Sequence, residues 1–205
     1  MRRQRAEFGS TITVGPTNSL CMATKATVSP ADLEFLQWVS SAAFANPFSD
    51  QRYELDRKIA GKFRNEDERG RFLQRAVSQR VQRLETQGKA DLGLYSGEDG
   101  EVMRNVFLFD AYHQSYQRLD QLIDAQAKAG DTPARVTFAG EILALLARRG
   151  FSTAEGVRFF GIFFQLRRAF YFILQGLIGQ TECMKSFRRH LWDNVFTHDI
   201  RCYDR

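Results

Sequence analysis

Cysteine is scarce in this sequence of 205 residues: Cys21, Cys183 and Cys202 form an odd, scattered set. Such a set offers no disulfide framework and points to a reducing compartment, the cytoplasm. Histidine is equally rare, with only His113, His190 and His198. His113 falls beside an aromatic stripe, where a satisfied or half-exposed core histidine is expected ahead of a catalytic base. Cys183, His190, His198 and Cys202 run C-x6-H-x7-H-x3-C, which is not a standard structural-zinc spacing, so no metal is expected. G-x-S-x-G, H-E-x-x-H, C-x-x-C and G-x-x-x-x-G-K-[ST] are all absent. Without them no catalytic residue is assigned, and the chain is not expected to be an enzyme.

A concentrated basic face is also lacking. The net charge is +5, but residues 1–30 supply +3 of it through Arg2, Arg3, Arg5 and Lys25 against Glu7. The remaining residues carry 25 basic and 23 acidic side chains, too even a balance for a nucleic-acid-binding domain. The pairs Arg148-Arg149, Arg167-Arg168 and Arg188-Arg189 give no defensible helix-turn-helix spacing. The acidic groups Glu66, Asp67 and Glu68, with Arg69 and Arg71, read as a solvated helix surface. No continuous apolar segment near the N-terminus resembles a secretory signal. The most apolar run, "FFGIFFQLRRAFYFIL" at 159–174, has Arg167 and Arg168 in its middle. Central arginines cost about 2.5–3.5 kcal/mol each on insertion scales, so a buried or interfacial helix is expected and a membrane partner is not.

What is present is helical. The chain is 43% hydrophobic with 18 phenylalanines, ample for a core. Residues 1–29 are rich in Gly, Ser, Thr and Pro without periodicity and read as disordered; Met22 is a plausible true start. Ser29-Pro30 is a cap-plus-proline helix start, followed by Leu33, Leu36, Trp38, Val39 and Ala43 and stopped by Asn46-Pro47. Ser49 opens a second helix with Tyr53, Leu55 and Ile59 facing inward. Asn65 and its acidic first turn open a third, ending near Gly88. Residues 88–100 read as a Gly-rich loop. A long helix then carries Val102 to Ile123 and ends at Gly130. Thr132-Pro133 repeats the cap-plus-proline start for a helix that closes at Gly150. Ser152 and Glu155 form a capping box, S-x-x-E, for an aromatic helix running to about Gln175. No segment alternates with period two, so the expected fold is all-α, with a six-helix body and no internal repeats.

The last stretch begins anew. Leu177-Ile178-Gly179 leads into Gln180-Thr181-Glu182-Cys183-Met184, with Thr181 as N-cap and Met184, Phe187, Leu191 and Val195 on one helical face. This I-G-x-T-x-x-M segment, with the longer run "LWDNVFTHD" at 191–199, resembles the entry into the AAA+ domain of sigma-54-dependent transcriptional activators of the NtrC type. "SSAAFANPFSDQRYELD" at 40–56 is similar to the N-terminal region of one subgroup with an uncharacterised helical regulatory domain, so the resemblance spans about 31–205.

After the disordered segment 1–29, the resemblance implies a domain order: 30–150 a helical regulatory domain, 151–175 an aromatic coupling helix, and 176–205 the incomplete start of an AAA+ domain. It implies a signal-input role controlling an ATPase motor whose Walker A and Walker B motifs are absent from this sequence. It carries the adenine pocket onto Ile178 and Gly179, with a plain turn before a helix as the competing explanation. ATP and magnesium are expected only for a full-length family member, and no cofactor for this chain. Sigma-54 RNA polymerase and promoter DNA would be engaged through domains not included here. Self-association would run through the motor or the aromatic helix. Phe159, Phe160, Phe163, Phe164, Phe170 and Phe172 cover so much of that helix that it is either an interface or a central core element. The alternative to the whole reading is a free-standing helical adaptor or nucleic-acid-associated protein.

Overall fold

A computed structural model describes residues 26–196. The described residues form seven α-helices and no strand, so the chain is all-α, as its periodicity predicts. The helices are α1 (Pro30–Phe44), α2 (Asp50–Ala60), α3 (Glu66–Thr86), α4 (Gly97–Ala129), α5 (Ala139–Arg148), α6 (Thr153–Gly176) and α7 (Glu182–Val195). None is long and apolar enough to cross a membrane.

The starts of five helices follow local side-chain chemistry. Ser29, Ser49, Asn65 and Thr181 each accept a hydrogen bond from a first-turn backbone N–H. Ser152 does the same for Glu155, and the Glu155 carboxylate returns to the Ser152 backbone N–H at 2.8 Å, completing the capping box. Each such bond satisfies a donor that the helix cannot satisfy itself, worth about 1 kcal/mol.

α4 is the axis. Its 33 residues span about 50 Å at 1.5 Å per residue, and it packs against α1, α3, α5 and α6. Val106 through Ala111 are buried in succession, so the helix is covered on every side there. Around it lie Leu36 and Val39 of α1, Leu73, Val77 and Val81 of α3, Ile142 and Leu146 of α5, and Phe159 and Phe163 of α6.

Two boundaries depart from expectation. α4 begins at Gly97, inside the stretch read as a loop, and the 3₁₀ turn Leu92–Leu94 leads into it. The Asp91 side chain accepts from Gly93 N–H at 2.9 Å, and Leu92 N–H donates to Arg149 C=O at 3.0 Å, tying that turn to the end of α5. The cap-plus-proline signal at Thr132-Pro133 starts no helix; α5 begins at Ala139. The Gln126 amide explains this. Its NH2 group donates to Gly130 C=O at 2.7 Å and Thr132 C=O at 3.2 Å, while its oxygen accepts from Ala134 N–H at 2.8 Å. Those bonds hold the chain in a turn, and residues 133–138 run on until Phe138 is buried against the core.

A third departure concerns charge. Acidic and basic groups are not confined to solvent faces. Asp56 and Asp110 are fully buried, as are nearly all of Arg69 and Arg149. Tyr53, expected inward, is 41% exposed, and Asp56 occupies the inner face of α2 instead. Asp56 accepts from Arg52 Nε at 2.7 Å and Arg69 Nε at 2.6 Å. The same guanidiniums donate to Ala42 C=O at 2.7 Å and Pro47 C=O at 3.1 Å. The α1–α2 corner is thus held by its own unsatisfied carbonyls and one shared carboxylate. Asp110 accepts from Arg149 Nη2 at 2.6 Å, Ser78 Oγ at 2.6 Å and Gln114 Nε2 at 2.7 Å, joining α3, α4 and the end of α5. The Asp67–Arg71 pair does sit on a solvated face.

α6 is neither wholly core nor wholly exposed. Phe159, Phe163 and Ile173 are buried, Phe160, Phe164 and Phe170 are half-buried, and Phe172 is exposed. α7 docks on the body. It packs along α6, and it meets the α1–α2 corner through Asn46, whose amide donates to Arg189 C=O at 3.0 Å and Asp193 Oδ1 at 2.8 Å.

Candidate ligand-binding cavity

A cavity of about 450 Å³ opens beside the middle of α4. Its walls come from six helices and the corner after α1: Ala43, Ala45 and Pro47 at the end of α1, Arg52 on α2, Arg69, Gly70 and Leu73 on α3, then the α4 face from Asn105 to Asp120. α6 adds Phe159, Phe163, Arg167 and Phe170, and α7 adds Trp192, with Phe196 just beyond it.

Small residues leave the space. Ala43, Ala45 and Gly70 stand where larger side chains would reach inward. A Cβ placed on Gly70 would come within 3.1 Å of the Tyr116 hydroxyl, so this glycine lets α3 and the Tyr116 ring pass closely. Rings line much of the remainder. Phe48 stacks on Phe170 at 5.2 Å and meets Trp192 edge-on at 6.0 Å, and Trp192 lies 4.6 Å from Phe196. This cluster closes the cavity on the α7 side. Such ring contacts contribute roughly 0.5–1.5 kcal/mol each beyond the area they bury.

The charged groups at the wall are already matched. Arg167 reaches Asp120 bidentately at 2.6 and 2.7 Å and lies over the rings of Tyr116 and Phe170. Arg52 and Arg69 share Asp56, and Arg69 also donates to Glu66 at 3.0 Å. Asp67 pairs with Arg71.

His113 differs from these charged groups. It is 6% exposed, stacks on Phe109 at 4.0 Å, and its Nδ1 lies 2.9 Å from Phe109 C=O. A carbonyl only accepts, so Nδ1 carries the proton and Nε2 is left with a lone pair. Burial, reinforced by the Arg52 charge, lowers the imidazole to about 3, so the ring is neutral near pH 7. Nε2 has no protein partner among the described residues. No side-chain polar atom there is both sealed from water and unpartnered. Nε2 therefore faces the cavity. The expectation of a satisfied core histidine holds for one nitrogen and not the other.

The residues expected to line an adenine pocket lie elsewhere. Ile178 is 86% exposed, and Gly179 occupies a turn at φ +135°. Neither lines the cavity. The turn is held by Arg188, whose guanidinium donates to Leu177 C=O and, at 2.7 Å, to Gly179 C=O. In each Arg-Arg pair one member is drawn inward: Arg149 and Arg188 are buried and Arg167 is half-buried on Asp120. Cys183 is exposed, and His198 and Cys202 lie outside the described residues. Among the described residues no three His, Cys, Asp or Glu side chains are grouped to hold a metal.

The cavity left no trace in the sequence that local pattern reading could find. Its wall residues come from positions 43 to 196 and share no motif. The chain matches no family model, no curated protein and no solved structure.

Proposed function

We propose that this chain is the signal-input part of a sigma-54-dependent transcriptional regulator, and that a small molecule in the cavity sets how α7 docks. The observation that carries this reading is the place of Trp192. It belongs to the helix that resembles the entry to an AAA+ motor, and it is also a wall of the cavity. A ligand filling the cavity would touch the motor's threshold directly, with no relay through the body.

A ligand can shift an equilibrium only by its differential affinity for two states. Here the two states are α7 docked and α7 released. The docked state is held by the Asn46 bonds, the Arg189–Asp50 pair at 3.4 Å and the Phe48–Trp192 contact. These few contacts suit a coupling free energy of about 1–3 kcal/mol. Ile178 and Phe187 turn apolar surface outward, where the rest of a motor domain would pack. ATP, magnesium, sigma-54 polymerase and promoter DNA would all act through that motor, in the cytoplasm.

The reading is tested first in the gene. The DNA 3′ of the Arg205 codon should continue in frame into a glycine-rich G-E-x-G-x-G-K loop and then a G-A-F-T-G-A loop. A stop codon there, in the genome of origin, overturns it. If the frame continues, deleting the helical body from the whole protein should change its ATPase rate, and an unchanged rate would remove the control role.

A further inference from the structure

We infer that the cavity takes an uncharged, flat molecule of two or three rings that presents a hydrogen-bond donor to His113 Nε2. The inference depends on the input-module reading for its biological meaning, but its chemistry comes from the cavity alone.

Size comes first. A cavity of about 150 Å³ lined by apolar side chains stays dry and admits benzene. Here the volume is about 450 Å³, roughly three times that. Phe109, Tyr112, Tyr116, Phe163 and Phe170 line it with rings, which favour a flat π-surface over a branched aliphatic one.

Charge comes second. An anion would need a free arginine, and Arg52, Arg69 and Arg167 are committed to Asp56, Glu66 and Asp120. A cation would need a free carboxylate, and these same carboxylates are the ones engaged. A charged ligand would therefore lose its hydration without gaining a counter-charge, whereas an uncharged one incurs no such cost.

Donor polarity comes third. Nδ1 is locked as donor by the Phe109 carbonyl, which fixes Nε2 as an acceptor aimed into the space. A ligand N–H or O–H satisfies it; a ligand with only acceptors leaves two lone pairs facing each other. His113 is thus a specificity-determining residue, and its role is recognition, with no proton transfer.

The test is isothermal titration of the 205-residue chain with indole, 1-methylindole and indole-3-acetate. Indole should bind, 1-methylindole roughly fivefold more weakly, and the carboxylate more weakly than either. His113→Phe keeps the ring stack and removes the acceptor, so the two neutral probes should then bind alike. His113→Gln, which restores an acceptor, should recover part of the preference, and circular dichroism of both variants checks that they fold. Equal binding of indole and 1-methylindole by the unaltered chain overturns the inference. So does tightest binding by the anion, or no binding of any probe at millimolar concentration. The titration does not involve the motor, so a stop codon at Arg205 and a failed titration are separate outcomes.

Discussion

Removing the Asp110 carboxylate should cost this fold a large part of its stability. The Asp110–Arg149 pair is sealed: the side chains are 0% and 3% exposed. Arg149 also contacts Glu85, at 3.2 Å, but that carboxylate is 42% exposed and weakly placed to compensate a buried charge. Asp110→Ala would leave the guanidinium facing the core and remove the acceptor for Ser78 and Gln114. Breaking a buried pair by deleting one partner costs about 3–5 kcal/mol. For a domain of this size each kcal/mol moves the melting temperature by about 2–4 °C, so a fall of roughly 6–20 °C is expected. The double change Asp110→Leu with Arg149→Met removes both charges and keeps volume, and it should cost no more than about 1–2 kcal/mol. The assay is urea unfolding followed by circular dichroism, with both single changes and the double in one cycle. Additive single effects, or an Asp110→Ala cost below about 1 kcal/mol, would refute the view that this pair locks α3, α4 and α5 together.

Stability should also fall in acid. His113 is held at about 3 in the fold against 6.5 unfolded, so below pH 6.5 the unfolded chain takes up a proton that the native state refuses. The slope should approach about 1.4 kcal/mol per pH unit between roughly pH 6 and 3, and His113→Phe should flatten it between pH 6.5 and 5. Glu155, lowered to about 2 by the Ser152 hydroxyl and Arg104, adds a smaller loss below pH 4.5. Gly150→Ala should destabilise by at least about 2 kcal/mol, because φ is +89° and the new Cβ would lie 2.6 Å from Asp91 Oδ1; thermal melting checks it. Ser152→Ala should cost about 1 kcal/mol and increase hydrogen exchange in the first turn of α6.

What could be read from sequence was local. Ser29-Pro30, Asn65 and the Ser152–Glu155 box act within three or four residues, so one segment contains both the signal and its partner. Thr132-Pro133 looked the same and failed, because Gln126, six residues before Thr132, captures the backbone first. The start of α4 at Gly97 was hidden by glycines that local pattern reading assigns to a loop. The buried pairs were not legible either. Asp56 and Arg69 are 13 residues apart, Asp110 and Arg149 are 39, and an acidic or basic residue on a helix looks the same in sequence whether it faces water or another helix. His113 shows the boundary well. Its place beside an aromatic stripe indicated burial, but only the arrangement of α1, α3, α6 and α7 around it leaves Nε2 looking into open space. The resemblance places Ile178 and Gly179 in an adenine pocket; in this fold they form a surface turn fastened by Arg188, the competing explanation that a glycine before a helix also allows.

The central claim is that the cavity and α7 are coupled. Amide hydrogen exchange of the chain, with and without saturating indole, measures this directly. The account predicts that exchange in Glu182–Val195 slows on binding, together with the α4 and α6 residues that line the cavity. Slowing confined to α4 and α6, with α7 exchanging as before, would contradict it.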